Sequence, residues 1–70
     1  MLASNLRKKR VALGMSQEEL ARRSGLHRTY ISSIERGQRN VAVENIFVLA
    51  RSLGCDPREL LAPLEESEDT

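Results

Sequence analysis

One cysteine, Cys55, and one histidine, His27, are the only thiol and imidazole in the sequence. A lone thiol closes no intramolecular disulfide and builds no cysteine-based zinc site. Tryptophan is absent and the only aromatics are Phe47 and Tyr30, so aliphatic side chains must fill the core. No apolar run is long enough to span a membrane, and the first residues show no signal-peptide pattern. The resulting expectation is a cytoplasmic chain without a membrane partner. Period-two alternation and Asn-Gly or Asp-Gly hairpin signals are also missing, which argues against strands. No glycine-rich phosphate cradle is present, and His27 has no Cys or Ser–His–Asp constellation around it. An enzyme is therefore not expected, and neither is a cofactor or a metal.

What is present is a 70-residue chain, enough for one hydrophobic core. Domains of this size bury a low fraction of their surface, so the chain must pack efficiently or gain stability from a partner. Its net charge of +1 hides an asymmetry. Four of the ten acidic residues lie after Leu64, leaving six acids against eleven bases, or +5, in residues 1–64. The reading is a basic folded unit over 1–64 and an acidic, disordered tail over 65–70.

The apolar spacing is helical and the breaks fall at glycines, which predicts an all-α fold of five short helices. The first runs from about Ser4 to Leu13, with Leu6, Arg10, Val11 and Leu13 facing inward, and stops at Gly14. Ser16-Gln-Glu-Glu19 is a capping box opening a second helix, which places Leu20 and Ala21 inward and ends at Gly25. The third, about His27 to Arg36, buries Ile31 and Ile34. A polar loop over 38–42 follows. The fourth spans about Val43 to Leu53, with Val43, Ile46, Leu49, Ala50 and Leu53 on its core face. Asp56-Pro57-Arg58-Glu59 is a second capping box with proline at the first helical position, opening a short fifth helix.

The segment from Gln17 to Arg36 joins two helices through a turn of a few residues around Gly25. Such a turn forces a steep crossing, so the residue at the crossing must be small, as Ala21 is. Its spacing resembles the lambda-repressor-like (Cro/repressor, or xenobiotic-response-element) helix-turn-helix family. The resemblance extends from the first helix to Leu61 and takes in Leu53-Gly-Cys-Asp-Pro-Arg-Glu-Leu-Leu61. Arg28-Thr-Tyr-Ile-Ser32, Ile34-Glu-Arg-Gly37 and Arg39-Asn40 look most like the controller proteins of restriction–modification systems. The resemblance implies a compact five-helix DNA-binding domain whose third helix reads double-stranded DNA.

With Ile31 and Ile34 buried, helical geometry puts Arg28, Thr29, Ser32, Ser33 and Arg36 on the opposite face. That face carries little bulk and many donors, as base edges in a major groove require. Arg28 is the first choice for a bidentate guanine contact. Thr29 suits a thymine methyl, a base or a phosphate; Ser32 and Ser33 are more tolerant readers; Arg36 serves base or phosphate. Gln17 starts the second helix, where free backbone N–H groups favour an anion. Tyr30 is either a phosphate contact through its hydroxyl or a partly buried spacer. The resemblance implies that Arg39 and Asn40 grip the DNA backbone, and that Arg10 and Glu35 form a structural ion pair.

Some positions depart from the family pattern. His27 and Ala42 stand where relatives carry better helix caps, and Cys55 where they carry a buried valine. Cys55 reads as a small hydrophobe, with a redox role as the alternative. The fourth helix also has more apolar residues than one face can bury. Phe47, Val48, Leu61 and Leu64 are the expected contacts of a two-fold homodimer. Together these readings predict a transcriptional regulator that binds a palindromic operator as a dimer and blocks or recruits RNA polymerase. The alternative is an antitoxin-like module that binds a partner protein and, secondarily, DNA.

Overall fold

The computed structural model describes residues 2–62, and all the regular structure among them is helical. The elements are α1 (Leu2–Ala12), α2 (Gln17–Ser24), α3 (Arg28–Glu35), α4 (Val43–Leu53) and α5 (Pro57–Leu61). Leu64 and the acidic segment 65–70 lie outside the described residues.

Local chemistry sets the boundaries. Ser16 caps α2, its Oγ accepting from the Glu19 N–H at 3.0 Å. The return half of that predicted box is not made: the Glu19 carboxylate instead accepts from Arg22 and from Arg23 Nε at 2.7 Å. Two guanidiniums one turn along outcompete a single backbone N–H for the charge. The box at α5 is complete, with Asp56 accepting from the Arg58 N–H at 2.8 Å and Glu59 from the Asp56 N–H at 3.2 Å. His27 and Ala42 begin α3 and α4 without a side-chain cap. Gly25 ends α2 at φ +77°, a conformation that costs a residue with a Cβ about 1–2 kcal/mol. Its N–H donates to the Ala21 carbonyl at 2.9 Å, and the chain turns directly into α3.

α1 packs on α3 and α5, α2 on α3 and α4, and α4 on α5. Leu6, Leu20, Ile31, Ile34, Leu49 and Leu60 are fully buried where these helices meet. Each such aliphatic side chain contributes about 1.5–3 kcal/mol relative to an exposed one. Met15, Ile46, Ala50 and Leu53 complete the core, with Ala21, Leu26, Tyr30, Val41 and Cys55 partly buried around it. Burial, with Glu59 nearby, pushes the Cys55 thiol up, which suits a small apolar filler.

Three expected core residues are exposed: Val11 at 57%, Leu13 at 54% and Val43 at 67%. Val11 is five positions from Leu6, about 140° round the helix. Leu13 would return to Leu6's face, but α1 stops at Ala12 and the chain has already turned. Val43 opens α4 at its outer end and lies beside Phe47, one turn on, rather than over the core.

A polar core residue escaped the periodicity reading. Asn5 is buried and its Nδ2 donates to the carbonyls of Leu60 at 2.9 Å and Ala62 at 2.6 Å. These are C-terminal carbonyls of α5 that have no intrahelical donor. One amide therefore fastens the last helix to the first.

Candidate nucleic-acid interface

α2 and α3 are fixed to α1 by a charged cluster. Arg10 holds the Glu35 carboxylate through Nε–Oε2 at 2.7 Å and Nη2–Oε1 at 3.0 Å, and donates Nη1 to the Met15 carbonyl at 2.7 Å. Their side chains are only 12% and 4% exposed. The Gln17 amide adds a third donor, Nε2 to Glu35 Oε1 at 3.0 Å. Burial pushes the Glu35 carboxyl up, but the donors from Arg10 and Gln17 outweigh it and hold the group below its ordinary range. The Gln17 side chain is thus turned onto Glu35 instead of outward to a phosphate. What remains of that expectation is its backbone N–H, at the first position of α2.

The outward face of α3 carries Arg28, Thr29, Ser32 and Arg36 within about 100° of arc. Arg28 and Thr29 are exposed, and no hydrogen-bond or ion-pair partner occupies Arg28 among the described residues. Ser32 is half-buried and accepts from Arg36 Nη1, while Arg36 Nε donates to Gln38 Oε1 at 3.2 Å. Arg36 therefore lies along the helix, spanning from α3 to the following loop.

Ser33 does not belong to this face. It is 8% exposed, its hydroxyl donating to the Tyr30 carbonyl at 2.7 Å and accepting from Arg39 Nε at 3.2 Å. The loop after α3 folds back over it: the Gln38 N–H donates to the Ser33 carbonyl at 3.0 Å. Spacing within a helix cannot register a loop that covers one edge of its open face. Ser33 instead holds Arg39, whose guanidinium lies 5.5 Å from the Tyr30 ring centroid. Thr29, Arg36, Gln38, Arg39 and Asn40 rim a shallow open groove floored by Ser33. Gly37, at φ +72°, turns the chain from the helix into this rim.

Tyr30 is half-buried, and its hydroxyl accepts from Asn45 Nδ2 on α4 at 3.0 Å. Asn45 was not singled out from the sequence; a lone asparagine in an apolar helix carries no signal that it meets Tyr30.

Phe47 and Leu61 are 54% and 46% exposed, and Val48 is half-buried. No helix among the described residues is long and apolar enough to cross a membrane. Those residues also hold no group of three or more side chains suited to a metal ion.

Residues 6–60 match the family model described as helix-turn-helix. The chain is 50% identical over 66 residues to a hypothetical transcription factor of Neisseria meningitidis serogroup B, covering 94% of this chain and 62% of that protein. It is 57% identical over 47 residues to the control protein C.BamHI of Bacillus amyloliquefaciens, covering 67% and 58%. The chain thus spans about six-tenths of the length of these two relatives. Among solved structures it is similar to the restriction–modification controller protein C.AhdI of Aeromonas hydrophila. That match has a TM-score of 0.83 at 52% identity, over 84% of this chain and 89% of that one. The α2–α3 pair joined at Gly25, the open face of α3 and these likenesses agree: the chain belongs to the helix-turn-helix family and is similar to the controller proteins of restriction–modification systems.

Proposed function

We propose that the chain is a sequence-specific DNA-binding transcriptional regulator that acts as a homodimer on a palindromic operator. The observation that carries this reading is the open arc of α3, where Arg28 stands unpartnered beside Thr29, Ser32 and Arg36. A guanidinium with all its donors free, on a face of short side chains, suits the O6 and N7 acceptors of guanine in the major groove. Around it, Arg39, Asn40, the Tyr30 hydroxyl and the Gln17 backbone N–H contact phosphates and fix the register. Ser33 acts indirectly, by holding Arg39. Phe47, Val48 and Leu61 supply the dimer contact, and Val43, exposed one turn before Phe47, extends it. Two recognition helices about 34 Å apart then read both halves of the operator. The dimer acts in the cytoplasm and controls access of RNA polymerase to the promoter. The antitoxin-like reading has no support among the relatives, which are described as control proteins and a transcription factor.

Selection of bound sequences from a random duplex pool tests this reading, followed by the salt dependence of the selected duplex. Enrichment of a palindrome with half-sites about one helical turn apart is expected. Weak binding that enriches no sequence and collapses as salt rises would reduce the protein to a nonspecific polycation. Arg28→Ala should lower discrimination at one base pair per half-site by about 5- to 150-fold, the worth of one bidentate contact. Nonspecific binding should change little. Equal weakening on every duplex would remove Arg28 from the reading face.

A further inference from the structure

α4 lies outside the helix-turn-helix segment, yet one of its side chains reaches the recognition helix. Asn45 donates Nδ2 to the Tyr30 hydroxyl at 3.0 Å. A phenol oxygen has one hydrogen to donate and lone pairs to accept with. With the amide N–H on a lone pair, the phenol hydrogen is turned away from Asn45. Among the described residues it has no acceptor. The ring is fixed as well: the Arg39 guanidinium lies over its face at 5.5 Å, and Arg39 Nε is held on Ser33 Oγ at 3.2 Å. Ser33 in turn is anchored on the Tyr30 carbonyl at 2.7 Å. The result is an oriented hydroxyl donor next to a cation, both outside the base-reading arc.

We propose that Asn45 is a positioning residue for the DNA backbone: by donating to the Tyr30 oxygen it aims the phenol hydrogen outward at a phosphate oxygen. The inference rests on the DNA-binding reading above and adds to it a residue from a different helix. It makes α4 a participant in phosphate recognition as well as in the core. It favours the phosphate-contact role of Tyr30 over the spacer role, because the phenol hydrogen is left without an acceptor among the described residues.

A double-mutant cycle on the selected duplex tests it, with Asn45→Ala, Tyr30→Phe and the two combined. Tyr30→Phe should weaken binding about ten-fold or more, the worth of a hydrogen bond to a charged group, and Asn45→Ala about three- to ten-fold, the worth of one between neutral partners. The combined variant should bind no worse than the weaker single one, because Asn45 acts only through the hydroxyl. An Asn45 that acts independently of the hydroxyl would give the same loss in the Tyr30→Phe background, and such additivity overturns the proposal. Asn45→Asp keeps the shape, so it remains informative should Asn45→Ala fold poorly. Its carboxylate takes the phenol hydrogen for itself, and binding should fall at least as far as with alanine. Undiminished binding by Asn45→Asp also overturns the proposal. A wild-type chain that binds no duplex at low salt would instead overturn the DNA-binding reading, and this inference with it.

Discussion

Arg10→Met is expected to destabilise the domain by about 3–5 kcal/mol, the cost of leaving a buried charge without its partner. The Glu35 side chain is 4% exposed and would keep only the Gln17 amide as donor. Total stabilities of small domains are about 5–15 kcal/mol, so much of this one's margin disappears. At about 4–8 °C per kcal/mol, the melting temperature should fall by tens of degrees. Urea unfolding followed by circular dichroism measures it directly. Arg10→Met combined with Glu35→Leu should recover most of the loss, because neither charge is then desolvated. If Arg10→Met shifts the midpoint no more than a surface substitution would, the pair does not hold α1 to α3.

The same cluster sets an acid limit. The Glu35 carboxyl is held below its ordinary range in the fold, so the folded state binds fewer protons there than the unfolded chain. Its contribution is complete above the unfolded carboxyl value of about 4.3 and is lost as pH falls through the lowered folded value. The urea midpoint of the wild type should therefore drop on acidification below that value. In Glu35→Gln this part of the drop should be missing, and an unchanged profile would assign the acid sensitivity to other carboxylates.

Phe47→Asp should convert the proposed dimer into a folded monomer. Phe47 is 54% exposed, and Val43 and Leu61 beside the α4–α5 surface are 67% and 46% exposed, so the substitution spares the core. In the dimer it places two aspartates against an apolar contact, where each would lose water without gaining a partner. Sedimentation should show one chain where the wild type shows two, with helical content retained. Once the halves are unlinked, the second half-site is no longer bound at high effective concentration. Affinity for the full palindrome should fall by about 10²- to 10⁴-fold, with binding to a single half-site nearly unchanged. A Phe47→Asp protein that still sediments as a dimer would move the contact elsewhere.

The helices were legible because their ends are written in local chemistry. Asp56-Pro57 and the glycines after α2 and α4 punctuate the chain wherever the rest of it lies, and the predicted Val43–Leu53 span is the observed one. Facing was less legible, because it depends on what lies opposite. Val11 satisfies helical spacing only loosely, and Leu13 falls just beyond the end of α1, so neither is covered by another described helix. Ser33 was placed on the open face by the same arithmetic that placed Ser32 there, and only the returning loop separates their roles. The contacts of Gln17, Asn5 and Asn45 are illegible in the sequence for one shared reason. Their polar ends meet Glu35, the end of α5 and Tyr30, which lie 18, 55 and 15 positions away in sequence. No short-range pattern contains such a pairing. The Arg10–Glu35 pair, 25 positions apart, was expected only because the family resemblance supplied it.

The amide of Asn5 has a consequence in time as well as in space. Its acceptors, the Leu60 and Ala62 carbonyls, are the last of the described residues to be synthesised. Synthesis adds about 5–20 residues per second, so α1 waits several seconds for the helix that completes its packing. Until then α1 lacks the α5 side of its packing, and Asn5 must keep its hydrogen bonds to water. On the ribosome the helix-turn-helix pair is finished well before the first helix is sealed. The bonds from Asn5 to Leu60 and Ala62 can therefore form only after α5 has left the exit tunnel.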